Sequence, residues 1–240
     1  MAIIHIKLNV RYEQQETITP NTALMDLFHI TQKIDIFFGQ KKNWFLKGYS
    51  RKEALKHIVF NERGPTAVAI KNFEKEYRKN FPAIINGIWD GEKDELDSGI
   101  DYFKSSTSRL NWVWLILNLA IDTSQLSLSR LIDLIKYLAI SRDFPHIQVE
   151  TNGYTLKNKQ VFPDRLSVGW ILYQPRVIDK SSLPTAEEVL SVYQHDEQIG
   201  TLIITKKGIF DGRNQDDIDK SNDVEIQLVD LGLLPLMTEI

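Results

Sequence analysis

The ten residues from Trp112 to Ile121 are apolar except for Asn118. Such a run has to leave water, yet it falls well short of the ~20 residues needed to cross a bilayer. It therefore belongs inside a globular core. Periodicity alone does not separate a buried strand from a buried helix at this length, and the run reads as a strand. A chain of 240 residues can bury it. The balance of 42% hydrophobic and 25% charged residues is close to that of soluble globular proteins, which argues against a disordered tail or a membrane protein.

The rest of the chain alternates strand and helix signals without regular βαβ order. Ile4, Ile6, Leu8 and Val10 alternate as a strand, so the N-terminus does not read as a signal sequence. Leu24, Leu27, Ile34, Phe37 and Phe38 have helical spacing, and Ser50 to Glu53 has the form of a capping box, which predicts a short helix over 51–58. Pro65 can begin a helix whose face carries Ile70, Phe73 and Tyr77. The Gly-, Asp- and Ser-rich stretch 86–108 reads as a loop anchored by Trp89, and Leu128, Leu131, Ile132, Ile135 and Leu138 mark a helix.

In the second half, Ile147 to Val149 and Val168 to Tyr173 read as strands, and so does the β-branched run Ile199 to Thr205. Pro184 can open a helix with Val189, Leu190 and Tyr193, and Asn214 caps a helix from Gln215 to about Asn222, after which Val224 to Leu234 is ambiguous. The expectation is an α+β fold with a mixed, largely antiparallel sheet and flanking helices, one domain over 1–240 with 1–145 and 146–240 as candidate subregions.

The chain offers no reactive constellation. Without cysteine there is neither disulfide nor thiolate chemistry, and a reducing, cytoplasmic setting is the simplest expectation. His5, His29, His57, His146 and His195 are at least 24 residues apart, so no pair has metal-ligand spacing. Phosphate-cradling loops, nucleophile elbows and zinc-protease motifs are absent, and no cofactor is implied. Asp216, Asp217 and Asp219 do not follow a calcium-loop pattern and are better explained as acids favoured near a helix N-terminus.

Charge is unevenly placed on a chain of net charge −3. Lys41 to His57 is basic and includes Trp44 and Phe45, a pairing that suits nucleic-acid stacking, but the overall acidity argues against it. Two stretches are acidic, Asp90 to Asp101 and Asp211 to Asp230. As candidate contacts for a partner they supply Asp90, Glu92, Asp94, Glu95, Asp211, Asp216, Asp217, Asp219 and Asp223, to which Arg165 is added.

One series of residues goes further. Gln160-Val161-Phe162-Pro163-Asp164-Arg165, Gly169-Trp170, Tyr173-Gln174-Pro175-Arg176, Gly200-Thr201-Leu202-Ile203-Ile204, Asn214, Asn222 and Glu225 to Pro235 stand in an order that resembles the Imm52 immunity family of bacterial polymorphic-toxin systems. Upstream, Trp44 to Gly48, Glu53-Ala54, Gly64-Pro65-Thr66 and Trp89-Asp90-Gly91 are similar to the same family, while Thr205 to Gly212 is more basic than its pattern.

The resemblance implies a cytoplasmic α+β protein without catalytic activity. It would bind a cognate Tox-REase-5 nuclease toxin of type VI secretion and make no nucleic-acid or membrane contact of its own. Read bottom-up, Trp44, Trp89, Phe162, Pro163, Asp164, Gly169 and Trp170 are structural: turn, close packing and core. Arg165 suits a paired fork with a carboxylate, or an interface. The competing class is a small hydrolase using Asp164, Arg165 and a histidine.

Overall fold

Alternating apolar residues at the N-terminus form β1 (Ile3–Glu13), in which Ile4, Ile6, Leu8 and Val10 are all buried. The computed structural model describes residues 2–14, 17–104 and 112–240. They form an α+β protein with two compact units, Met1–Ile3 with Glu13–Leu134, and Ile4–Tyr12 with Ile135–Ile240.

In the first unit, α1 (Pro20–Phe38) starts at Thr19, whose side chain and that of Thr22 cap each other's backbone N–H, and stops at Gly39 in the left-handed conformation. The basic stretch follows with β2 (Phe45–Leu46) and α2 (Arg51–Ala54). Ser50 accepts from the Glu53 N–H as the capping box predicts, but the helix is one turn rather than 51–58, since the Leu55 and His57 N–H groups already close it by turn bonds. A two-stranded ribbon, β3 (Phe60–Asn61) and β4 (Gly64–Pro65), leads into α3 (Ala67–Asn80). Thr66, not Pro65, caps α3, its hydroxyl accepting from Ala69 N–H.

The stretch expected as a loop is instead a hairpin. β5 (Ile84–Trp89) and β6 (Gly99–Lys104) pair antiparallel around a 3-10 turn at Asp94–Leu96, while 105–108 lie outside the described residues. β7 (Trp112–Asp122) is the buried strand expected from the apolar run, antiparallel to β6. The strand order is β2-β5-β6-β7. One face, with Ile84, Ile88, Ile100, Tyr102, Leu115 and Leu117, is buried. α3 packs on β5 and α1 on α3. The other face shows the register row Ile85, Phe103, Trp114, in which the two rings lie 5.6 Å apart.

After α4 (Leu128–Ile140), the second unit adds β8 (Asp143–Thr151), β9 (Ile171–Gln174), β10 (Glu188–Gln194) and β11 (Glu197–Ile204), ordered β10-β11-β9-β8-β1. The helix expected from Pro184 is strand β10, because Val189 and Leu190 find register partners in Ile203 and Leu202 of β11. The ambiguous tail continues α5 (Gln215–Asp230), capped by Asn214 as predicted. Gly169 sits before β9 rather than in it. Its φ is +61°, and a Cβ there would lie 2.6 Å from the Val149 carbonyl oxygen, so only glycine brings the chain this close to β8.

Candidate functional site

The C-terminal acids separate into two groups. Asp217 is 3% exposed. Its carboxylate pairs with Lys206 Nζ at 2.7 Å and accepts from the Asp211 N–H at 2.9 Å. Asp211 is turned toward its own unit. Burial works against its charge, but donors from Asn152 and Arg213 outweigh that and hold its pKa below the usual carboxylate range. Asp216, Asp219 and Asp223 are exposed and follow helical spacing along one side of α5, with exposed Ile226 beyond them. These three, with exposed Asp230 at the helix end, present charge outward, and the whole cluster does not.

The 90–101 acids divide in the same way. Asp90, 7% exposed, pairs with Lys42 and accepts from the Ser98 and Glu92 N–H groups, while Asp101 pairs with Lys47. Arg51 donates twice to the Gly91 carbonyl, at 3.1 and 2.9 Å. The basic and acidic stretches of the first half are thus partners of one another. Glu92, Asp94 and Glu95 remain exposed, as does Asp97.

The most specific sequence block is anchored by hydrogen bonds within its own unit. Arg165 donates to the Leu234 carbonyl rather than to a carboxylate, and Leu166 N–H bonds the Pro235 carbonyl, so the block is tied to the C-terminal segment. Phe162 is half-buried, and Pro163 and Asp164 are exposed. Trp170 is 1% exposed, its indole donating to the Lys206 carbonyl at 2.8 Å. Trp44 is buried at 3% and Trp89 half-buried.

A group that sequence reading passed over organises this region. Glu225, fully buried, accepts from the Val161 N–H and the Val168 N–H, each at 2.9 Å, and lies 3.1 Å from the Tyr154 hydroxyl. Burial outweighs these donors and raises its pKa. Glu150 plays a similar part, accepting from Thr155 N–H and Oγ1, with Lys7 Nζ at 3.5 Å. Both acids are buried by the fold, Glu150 on β8 and Glu225 on α5.

The first unit also holds an open cleft of about 400 Å³ between α1 and the 41–44 and 58–62 segments. Phe28, Phe60 and Trp44 line it with Asp35, Glu62 and Lys41, and the two phenyl rings lie 5.4 Å apart. Asp35 Oδ1 accepts from the Lys42 N–H at 2.9 Å. Burial raises the Asp35 pKa against the opposing pull of that bond and of Lys41 and Lys42. The Trp44 indole N–H meets no acceptor among the described residues.

Among the described residues, no group of three or more His, Cys, Asp or Glu is placed to hold a metal ion, and no helix is long and apolar enough to cross a membrane. No protein-family model matches the chain, and no curated protein matches it in sequence. Among solved structures it is similar to the Pseudomonas aeruginosa T6SS protein PA0821, with a TM-score of 0.58 over 94% of this chain and 76% of that one. The identity is 9%, so the likeness is one of fold.

Proposed function

We propose that this chain is an immunity protein of the Imm52 type, which binds and silences a Tox-REase-5 nuclease toxin of a type VI secretion system in the cytoplasm and catalyses no reaction itself. The main support is the fold likeness to a T6SS protein over 94% of the chain. The order of the sequence blocks from Trp44 to Pro235 agrees with it. A nuclease carries positive charge where the phosphate backbone lies. Exposed acids on α5 and at the β5–β6 turn give an inhibitor complementary charge, acting mainly on association rate and salt dependence.

The test is co-expression with the toxin domain encoded by the adjacent gene. Growth is expected to be rescued, and the two purified proteins are expected to co-elute at micromolar concentration. Separate elution together with undiminished DNA cutting refutes the reading.

The acids on α5 have their own test. Replacing Asp216, Asp219 and Asp223 with lysine is expected to slow association several-fold at low salt and flatten its salt dependence, with the melting temperature lowered only slightly because all three are exposed and only Asp216 stands in the first turn of α5. Asp217→Lys is expected to behave differently, costing about 2 kcal/mol of stability through loss of the Lys206 pair and repulsion in its place. Unchanged kinetics across a salt series for the triple variant would move the contact to the β5–β6 turn.

A further inference from the structure

The cleft beside α1 has the makings of a cation site. Three aromatic side chains, Phe28, Trp44 and Phe60, stand with two carboxylates, Asp35 and Glu62. Aromatic faces attract a cation through their quadrupole, and a carboxylate offers a guanidinium two parallel hydrogen bonds. Of the two lysines at the cleft, Lys42 is already engaged, its ammonium paired with Asp90 and 4.4 Å from the Phe38 ring centroid, and Lys41 is exposed and acts on Asp35 only through space. Asp35 therefore keeps a half-buried carboxylate whose Oδ1 is met by a backbone N–H, and its upward pKa shift is that of an under-compensated charge. Trp44, 3% exposed, lines the cleft as a buried wall.

We propose that this cleft receives an arginine side chain of a partner polypeptide, with the guanidinium held by Asp35 and Glu62 among the Phe28, Trp44 and Phe60 rings. Arginine fits better than lysine because its planar head can stack on a ring and bond a carboxylate at the same time. A nuclease toxin, rich in cationic side chains, would be such a partner, but the site is defined by its own residues and is tested without one.

The experiment uses the full chain, labelled with 15N, and three small probes: Nα-acetyl-arginine amide, the uncharged isostere Nα-acetyl-citrulline amide, and Nα-acetyl-glutamate amide. Five tryptophans give five indole cross-peaks. That of Trp44 is assigned through side-chain-to-backbone correlations, so no Trp44 variant has to fold. The arginine probe is expected to shift the Trp44 peak saturably in the low-millimolar range, and the citrulline and glutamate probes are not.

Asp35→Asn with Glu62→Gln should abolish the saturable shift while leaving the other four indole peaks in place. Exposed Glu62→Gln alone should weaken binding about tenfold, as expected for loss of one charge-assisted pair. The inference is overturned if the arginine probe gives no saturable shift, if citrulline amide matches it, if glutamate amide binds instead, or if the shift survives in the Glu62 variant at full affinity. None of these outcomes bears on whether the chain binds its neighbour's toxin, which growth rescue decides.

Discussion

Trp170→Ala is expected to lower the free energy of unfolding by about 3–5 kcal/mol, the usual cost of emptying a buried aromatic site. The indole is 1% exposed and sits where several elements of the second unit meet. Its backbone N–H bonds the Val149 carbonyl, its own carbonyl accepts from Thr205, and its ring nitrogen donates to Lys206. Truncation leaves a cavity and removes the donor from the part-buried Lys206 carbonyl. Chemical denaturation followed by circular dichroism measures the loss. A variant that unfolds like wild type yet fails to bind the toxin would make Trp170 a contact residue and overturn its place in the core.

Glu225→Ala is expected to cost about 1–3 kcal/mol, because it leaves the buried Val168 N–H without its acceptor and takes one from the part-buried Val161 N–H, while the Tyr154 hydroxyl keeps Asn222 as acceptor. Relief of a buried charge offsets part of this, and pH separates the two effects. The folded-state pKa of Glu225 lies above its unfolded value. Its proton-linked contribution is therefore full below the unfolded pKa and is lost as pH rises through the folded one. The stability gap between wild type and variant should narrow as pH climbs across that window. A gap that widens instead would mean the carboxylate is better stabilised inside the protein than in water.

How much of this could be read from the chain depended on whether the deciding interaction was local. Alternation in β1 and 3.6-residue spacing in α1 and α4 are local, and those elements stand where expected. The 86–108 stretch failed because Gly87, Gly99 and Asp101 have poor strand propensity, and their conformation comes from pairing between β5, β6 and β7. Val189, Leu190 and Tyr193 satisfied a helical spacing as well as a strand, and the β11 partner decided between them.

Electrostatics divided along the same line. The acidic stretches were visible as clusters, but that Asp90 would be taken by Lys42 and Asp217 by Lys206 rests on contacts no spacing rule reaches. The surroundings of Asp35 and Glu225 were illegible for the opposite reason. Each looks like a routine polar position in a helix, and only the fold shows that one lines a cleft and the other is sealed in.

The single carboxylate that collects two backbone N–H groups, from Val161 and Val168, fixes a span as well as an energy. Between those anchors the chain turns through Pro163 and Asp164, both exposed, and bonds the C-terminal segment through Arg165 and Leu166. Exposed positions usually accept substitution, and exposed turns usually accept insertions as well. Here the two tolerances come apart. Substitution at exposed 163 or 164 leaves the anchoring hydrogen bonds in place, but adding or removing one residue would pull one N–H off the carboxylate or break the bonds to Leu234 and Pro235. Among related chains the length of this turn should stay constant.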